Sequence, residues 1–220
     1  TADFDRSGPV LKESDTSLSG KYYIVNKNMT IDGDLTIDGS QNGGLVLCKG
    51  VTLTVTGALI HTGGTSFFIY GQSNNGADTG RLIIENSKDT GAAIRAAAGA
   101  NDTQLCISSG ELEIHGGDSG KLVDKVALHS SSPSFHKATT LNSETMPLAD
   151  WSYKTSIEGT SLVIEYCDHP EEYVTYTPNG DKQHIMSCTL CGFNTGNSRK
   201  VANCGDPGAV GYESAGERGH

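Results

Sequence analysis

Apolar and polar residues alternate along much of the first half of the chain, in short runs closed by Gly, Asn or Asp. Asp34-Leu35-Thr36-Ile37-Asp38-Gly39, Gly44-Leu45-Val46-Leu47-Cys48 and Thr52-Leu53-Thr54-Val55-Thr56-Gly57 show the pattern. So do Ser66-Phe67-Phe68-Ile69-Tyr70-Gly71 and Glu111-Leu112-Glu113-Ile114-His115-Gly116. A period of two is that of a strand with one buried face. The runs recur roughly every 8–15 residues, and no helical stretch is long enough to form a crossover. Repetition of a Gly-bounded x-Leu-x-Ile-x-Gly phrase favours stacked coils over independent hairpins. The pattern therefore predicts an all-β chain, a right-handed parallel β-helix over residues 1–166. The polar residues 1–20 would act as an N-terminal cap, because exposed strand edges must be covered.

Several stretches interrupt the repeat. Ser73 to Gly80 reads as a loop by composition. Gly91-Ala92-Ala93-Ile94-Arg95-Ala96-Ala97-Ala98-Gly99 is rich in small residues, and its flanking strands favour a tightly packed coil turn over a helix. The pattern loosens from Lys121 to Asp150, and Trp151 to Tyr166 supplies one or two final strands.

Beyond Tyr166 apolar periodicity is poor and cysteine and histidine accumulate, the mark of a small element held by something other than a core. Residues 167–220 are expected to form this second unit. Cys188-Thr189-Leu190-Cys191-Gly192 is a knuckle that turns two thiolates to one side. Cys167-x-His169 completes a Cys₃His set, with His184 and Cys204 as alternative ligands. The expectation is a structural zinc ion held by Cys167, His169, Cys188 and Cys191. Two disulfides among Cys167, Cys188, Cys191 and Cys204 are the competing reading for an extracellular chain. Cys48 and Cys106 lie within strands and read as unreactive core thiols.

Size and charge narrow the function. The 220 residues suffice for one substantial domain with a small appendage, and 28 of them are glycine, which fits many tight turns. A net charge of −10 argues against nucleic acid as a partner, since binding it requires a basic surface. No apolar run approaches the ~20 residues of a membrane span, so membrane insertion is not expected. The sequence starts at Thr1 without a signal peptide, as a mature or truncated piece would.

Candidate chemistry is sparse. Asp32, Asp34 and Asp38 lie close in sequence on one side of a strand and are a candidate calcium site, hard oxygen ligands being what that ion takes. Glu111, Glu113 and His115 share an outward face, but any half-buried strand shows such a trio. Nothing reproduces a nucleophile elbow, a phosphate loop or a dinucleotide fingerprint, and no catalytic residues are assigned. Tyr70, Trp151 and Tyr153, with Tyr22 and Tyr23, are the aromatic side chains able to stack on a sugar.

Lys21 to Val25, Met29 to Ile37, Leu45 to Thr54 and Phe68 to Gln72, followed by Gly110 to Gly117, resemble successive phrases of β-helical surface modules in secreted proteins of Gram-positive gut bacteria. Cys167 to His169, Tyr176 to Asp181 and His184 to Gly192 resemble the small Cys/His repeats found beside them. The resemblance covers about residues 20–195 and implies a secreted or cell-wall-anchored protein. The reading that follows is a non-enzymatic module for adhesion to a glycan or host surface component. A ligand-free spacer and a polysaccharide lyase or glycoside hydrolase are its rivals.

Overall fold

The computed structural model describes residues 8–72, 78–86, 91–100, 103–116, 120–130, 136–140, 144–179, 183–195 and 202–203. The chain divides into two compact units, Thr1–Tyr166 and Cys167–His220.

In the first unit the chain visits three sheets in strict rotation. The first circuit is β1 (Ser17–Leu18), β2 (Tyr22–Val25) and β3 (Met29–Ile31), and the second is β4 (Leu35–Ile37), β5 (Gly43–Leu47) and β6 (Thr52–Val55). The third is β7 (Leu59–His61), β8 (Ser66–Gly71) and β9 (Arg81–Glu85), and the fourth is β10 (Ile94–Ala96), β11 (Gln104–Ile107) and β12 (Glu111–His115). A fifth begins with β13 (Lys121–Asp124), β14 (Ala127–Ser130) and β15 (His136–Thr140). Through β14 each strand pairs in parallel with the strand three places on, giving sheets ordered β1-β4-β7-β10-β13, β2-β5-β8-β11-β14 and β3-β6-β9-β12. Up to β14 all three sheets are thus parallel.

Alternation sets which side chains meet inside. Leu35, Leu45, Leu47, Leu53, Phe67, Ile69, Leu82, Leu105, Ile107 and Leu112 are fully buried members of one core, each separated from the next inward residue by an outward one. Close stacking of the circuits also explains glycine at a corner. A Cβ at Gly39 would lie 2.4 Å from the Gly63 Cα of the next circuit, so no larger residue fits without moving backbone.

The parallel order ends within the fifth circuit, after β14. β18 (Ser161–Tyr166) lies antiparallel between β12 and β15, and β17 (Ser156–Glu158) lies antiparallel on β13. A hairpin partner, β16 (Thr145–Met146), and one helical turn, α1 (Leu148–Trp151), complete this end. The stretch from Lys121 to Asp150, where the sequence pattern loosens, therefore holds four strands, β13 to β16. Within Gly91 to Gly99 the chain forms β10 and no helix. His61 is a buried inward residue of β7, and its Nδ1 accepts a hydrogen bond from the Gly63 amide at 3.4 Å.

The second unit is a small antiparallel sheet. β19 (Val174–Pro178) pairs with β20 (Gln183–Cys188), which pairs with β21 (Ala202–Asn203). A single 3-10 turn at Glu171–Tyr173 leads into β19. Among its described residues Leu190 is the only fully buried aliphatic side chain; the other buried apolar positions are Cys167, Cys188 and Cys191.

Candidate functional site

In the second unit the chain brings Cys167, His169, Cys188 and Cys191 together. One potential ligand atom from each lies within 4.8 Å of all the others. β20 delivers Cys188 at its end, and the chain then turns back: the Gly192 amide donates to the Cys188 carbonyl at 3.0 Å, and the Cys188 amide donates to the Phe193 carbonyl at 2.9 Å. The reversal passes through Gly192 at φ +72°, a backbone region that glycine enters at little cost. The stretch after β18 supplies Cys167 and His169, and the His169 ring stacks on Phe193 with centroids 4.6 Å apart.

The spacing suits a tetrahedral ion. A site with bonds of about 2.3 Å to sulfur and about 2.0–2.1 Å to nitrogen has edges of roughly 3.8 Å between sulfurs and roughly 3.5 Å between sulfur and nitrogen. The Cys167 and Cys188 sulfurs are 3.8 Å apart, and Cys191 Sγ is 3.4 Å from His169 Nδ1. The electrostatics favour a thiolate at Cys167 in particular. Backbone amides of Leu190 and Cys191 donate to the Cys188 sulfur, that of Phe193 to Cys191 and that of His169 to Cys167. The Cys167 thiol is drawn well below its ordinary pKa, first by its hydrogen bond with Cys191 and further by His169. The same bond pushes Cys191 up, while burial raises Cys188. The protons of the three thiols are thus coupled to one another. A divalent cation would displace those protons and offset two of the three negative charges they leave.

The competing disulfide reading fails for three of its four cysteines: Cys167, Cys188 and Cys191 are free thiols. Cys204, the fourth, lies outside the described residues. The alternative ligand His184 is buried on β20, paired in register with Pro178, and is not one of the four clustered residues. The cluster can hold a metal ion, and three thiolates with an imidazole are compatible with zinc.

The candidate calcium residues are not gathered. Asp32 accepts a hydrogen bond from the Thr56 hydroxyl at 2.9 Å, Asp34 from the Ala58 amide at 2.8 Å, and Asp38 from the Ser40 amide at 3.0 Å. Asp34 also pairs with Arg95 at 3.4 Å. Each carboxylate ties its own corner to the backbone or to the next circuit. Among the described residues the Cys/His group alone brings three or more such ligands to metal-binding distance.

The charged residues of β12 are paired as well. Arg81 reaches Glu111 through Nε at 2.7 Å, and His115 Nε2 lies 2.7 Å from Glu113. Arg81 also approaches Glu113 at 3.6 Å.

The aromatic candidates separate by burial. Trp151 is 0% exposed and belongs to the core of the first unit, which removes it as a sugar-stacking residue. Tyr153 is 66% exposed, and its ring lies flat on His129, centroids 4.8 Å apart and planes 6° from parallel. Tyr70 is half-buried on the outer face of β8, 6.0 Å from the rings of Phe68 and Tyr22. The Tyr22 phenol is raised above its ordinary pKa, chiefly by burial and then by Tyr70. Gly44 makes room for this packing: a Cβ there would stand 2.9 Å from the Tyr22 ring. His129 escaped the sequence reading because only strand register carries it to the same face as Tyr22 and Tyr70, whereas Phe68, two residues before Tyr70 on β8, could have been found from alternation alone.

That face is uncharged. The five strands of its sheet, Tyr22-Tyr23-Ile24-Val25, Gly43 to Leu47, Ser66 to Gly71, Gln104 to Ile107 and Ala127 to Ser130, hold no Asp, Glu, Lys or Arg. The sheet containing β9, β12, β15 and β18 carries Arg81, Glu111, Glu113, Lys137 and Glu165.

No protein-family model, no curated protein and no solved structure matches this chain.

Proposed function

We propose that the chain is a non-enzymatic module of an extracellular bacterial surface protein, whose first unit is a right-handed parallel β-helix that binds a glycan. Its second unit is a small sheet stapled by a structural zinc ion. Third-neighbour parallel pairing through four circuits supports the β-helix, and the near-universal right hand of parallel crossovers supplies the handedness. The extracellular setting rests on the resemblance of the repeat phrases and the tail to bacterial surface modules.

The observation that carries the binding role is the uncharged outer face with Tyr22, Phe68 and Tyr70 packed together. Sugar rings present apolar C–H faces, which aromatic faces cover while hydroxyls remain hydrated. A spacer without a ligand needs no such cluster, and its exposed flanks would favour charge for solubility. For zinc, three thiolates and one imidazole would make a closed tetrahedral set without an open position for water, which supports a structural rather than a catalytic ion.

A polysaccharide array tests the reading, with the whole chain and its Phe68→Ala variant compared side by side. Binding without product release, weakened at least tenfold in the variant while its circular dichroism is unchanged, is the expected result. A blank array would move the protein to the spacer reading, and shortened products would move it to the enzymes.

A further inference from the structure

Strand register adds a length and a direction to the uncharged face. Tyr22 pairs with Gly44, Gly44 with Phe68, Phe68 with Cys106 and Cys106 with His129. Five strands thus place five residues in one row running across the strands. Four strand spacings of about 4.8 Å make the row roughly 19 Å long. Its rings come from alternate strands, with the small residues Gly44 and Cys106 between them. Leu105 and Ile107 point into the core on either side of Cys106, so Cys106 belongs to the outer row; it is only 1% exposed.

Resting on the glycan-binding reading above, we infer that the ligand is a neutral, extended β-linked polysaccharide lying along this row, with Tyr153 gripping its far end. Three observations point the same way. The strand spacing is close to the length of one pyranose residue in an extended β-linked chain. In such a chain alternate residues are flipped, so every second one offers the same face, and rings on alternate strands meet equivalent faces. A helical α-linked chain curves away from a straight row. Second, the strands beneath carry no ionised side chain although the protein's net charge is −10. A polyanion would find no cation there and would be repelled by the rest of the surface. Third, Tyr153 is held in a conformation its side chain disfavours, at φ +61°, with its amide donating to the Leu128 carbonyl at 2.6 Å. Strain of this kind persists where surrounding structure enforces it and concentrates at functional positions. Here it lays an exposed ring parallel to His129, at the end of the row. Burial keeps the pKa of His129 below its ordinary value, so the ring adds no charge at neutral pH.

Isothermal titration of the whole chain with defined sugars tests the inference. The probes are β-1,4-glucan and β-1,4-mannan oligosaccharides of increasing length, α-1,4-glucan oligosaccharides and polygalacturonate. Affinity for the β-linked series should climb with each residue and level off at roughly four or five, the number that fills the row. Tyr153→Ala should weaken the long oligosaccharides at least fivefold and leave the disaccharide unchanged. Equal affinity for α-linked or anionic chains, no length dependence, or an indifferent Tyr153→Ala variant would overturn the inference while leaving a glycan-binding module standing. Failure of every array polysaccharide and every oligosaccharide would overturn both.

Discussion

Metal removal should dissolve the second unit and leave the first intact. Among the described residues Leu190 is the only aliphatic side chain of that unit fully withdrawn from water, and its burial contributes about 1.5–3 kcal/mol. Each residue fixed in the β19–β20 hairpin costs about 1–2 kcal/mol of conformational entropy. One leucine therefore offsets the ordering of one or two residues in a hairpin whose strands have 5 and 6. A structural zinc ion in a site of this kind supplies about 10–16 kcal/mol at neutral pH. That exceeds anything else among the unit's described residues, so its folding and its metal occupancy should be one equilibrium. Elemental analysis of reduced protein should find one zinc per chain. A chelator, or Cys191→Ser, should collapse the amide NMR signals of residues 167–195 to unfolded positions and leave those of the first unit unmoved. Thiol titration before and after chelation checks the alternative, because disulfide-bonded cysteines would not react in either state. Metal-free protein with an unchanged tail spectrum would refute the argument outright.

Two shorter predictions concern the first unit. Gly39→Ala should lower its stability by about 1–3 kcal/mol, read from the midpoint of denaturant unfolding, because the new Cβ meets Gly63 backbone rather than a movable side chain. Stability should also decline as pH falls below about 6.5. Burial lowers the pKa of both His61 and His129, so in that range the unfolded chain binds protons that the folded one does not. Thermal melts between pH 7.5 and 5 should show this slope, and His61→Gln should flatten it; an identical slope in the variant would remove His61 as its source.

Most strands of the first four circuits are legible in the sequence because they have a wet face and a dry face, and Leu35-Thr36-Ile37 or Leu53-Thr54-Val55 writes that difference directly as period two; β1, inside the expected cap, and β10, inside the expected coil turn, are too short to show it. The metal cluster is legible for another reason: a knuckle works within five residues, and only Cys167 and His169 had to arrive from elsewhere. What the chain conceals is long-range. Ser161-Leu162-Val163-Ile164 alternates like any other strand, and nothing local says that it runs antiparallel between β12 and β15. The side-chain ladder between circuits recurs at separations of 23–25 residues in the early ones, but 38 residues separate Ser66 from Gln104. That stretched step hides the row joining Phe68 to Cys106. Trp151 misled because a lone exposed-looking aromatic near a chain end gives no sign of whether a turn such as α1 will fold it inward. The three aspartates misled because nearness in sequence is not convergence: Asp32 and Asp34, at one corner, reach the Thr56 hydroxyl and the Ala58 amide of the next circuit, while Asp38 turns back on the Ser40 amide.

The antiparallel closure by β17 and β18 bears on how such a molecule can change size. Strands added beyond that end would find no parallel edge in two of the three sheets, so lengthening by extension is blocked. Lengthening or shortening from within is not. Residue 44 is in register with residue 68, so excising residues 44–67 would remove one complete circuit and bring Tyr22 beside Phe68 with every inward residue still inward. Duplicating the same stretch would lengthen the outer face by one strand. The molecule's reach is then an inheritable, stepwise quantity, adjustable by a single recombination event without redesign of either end.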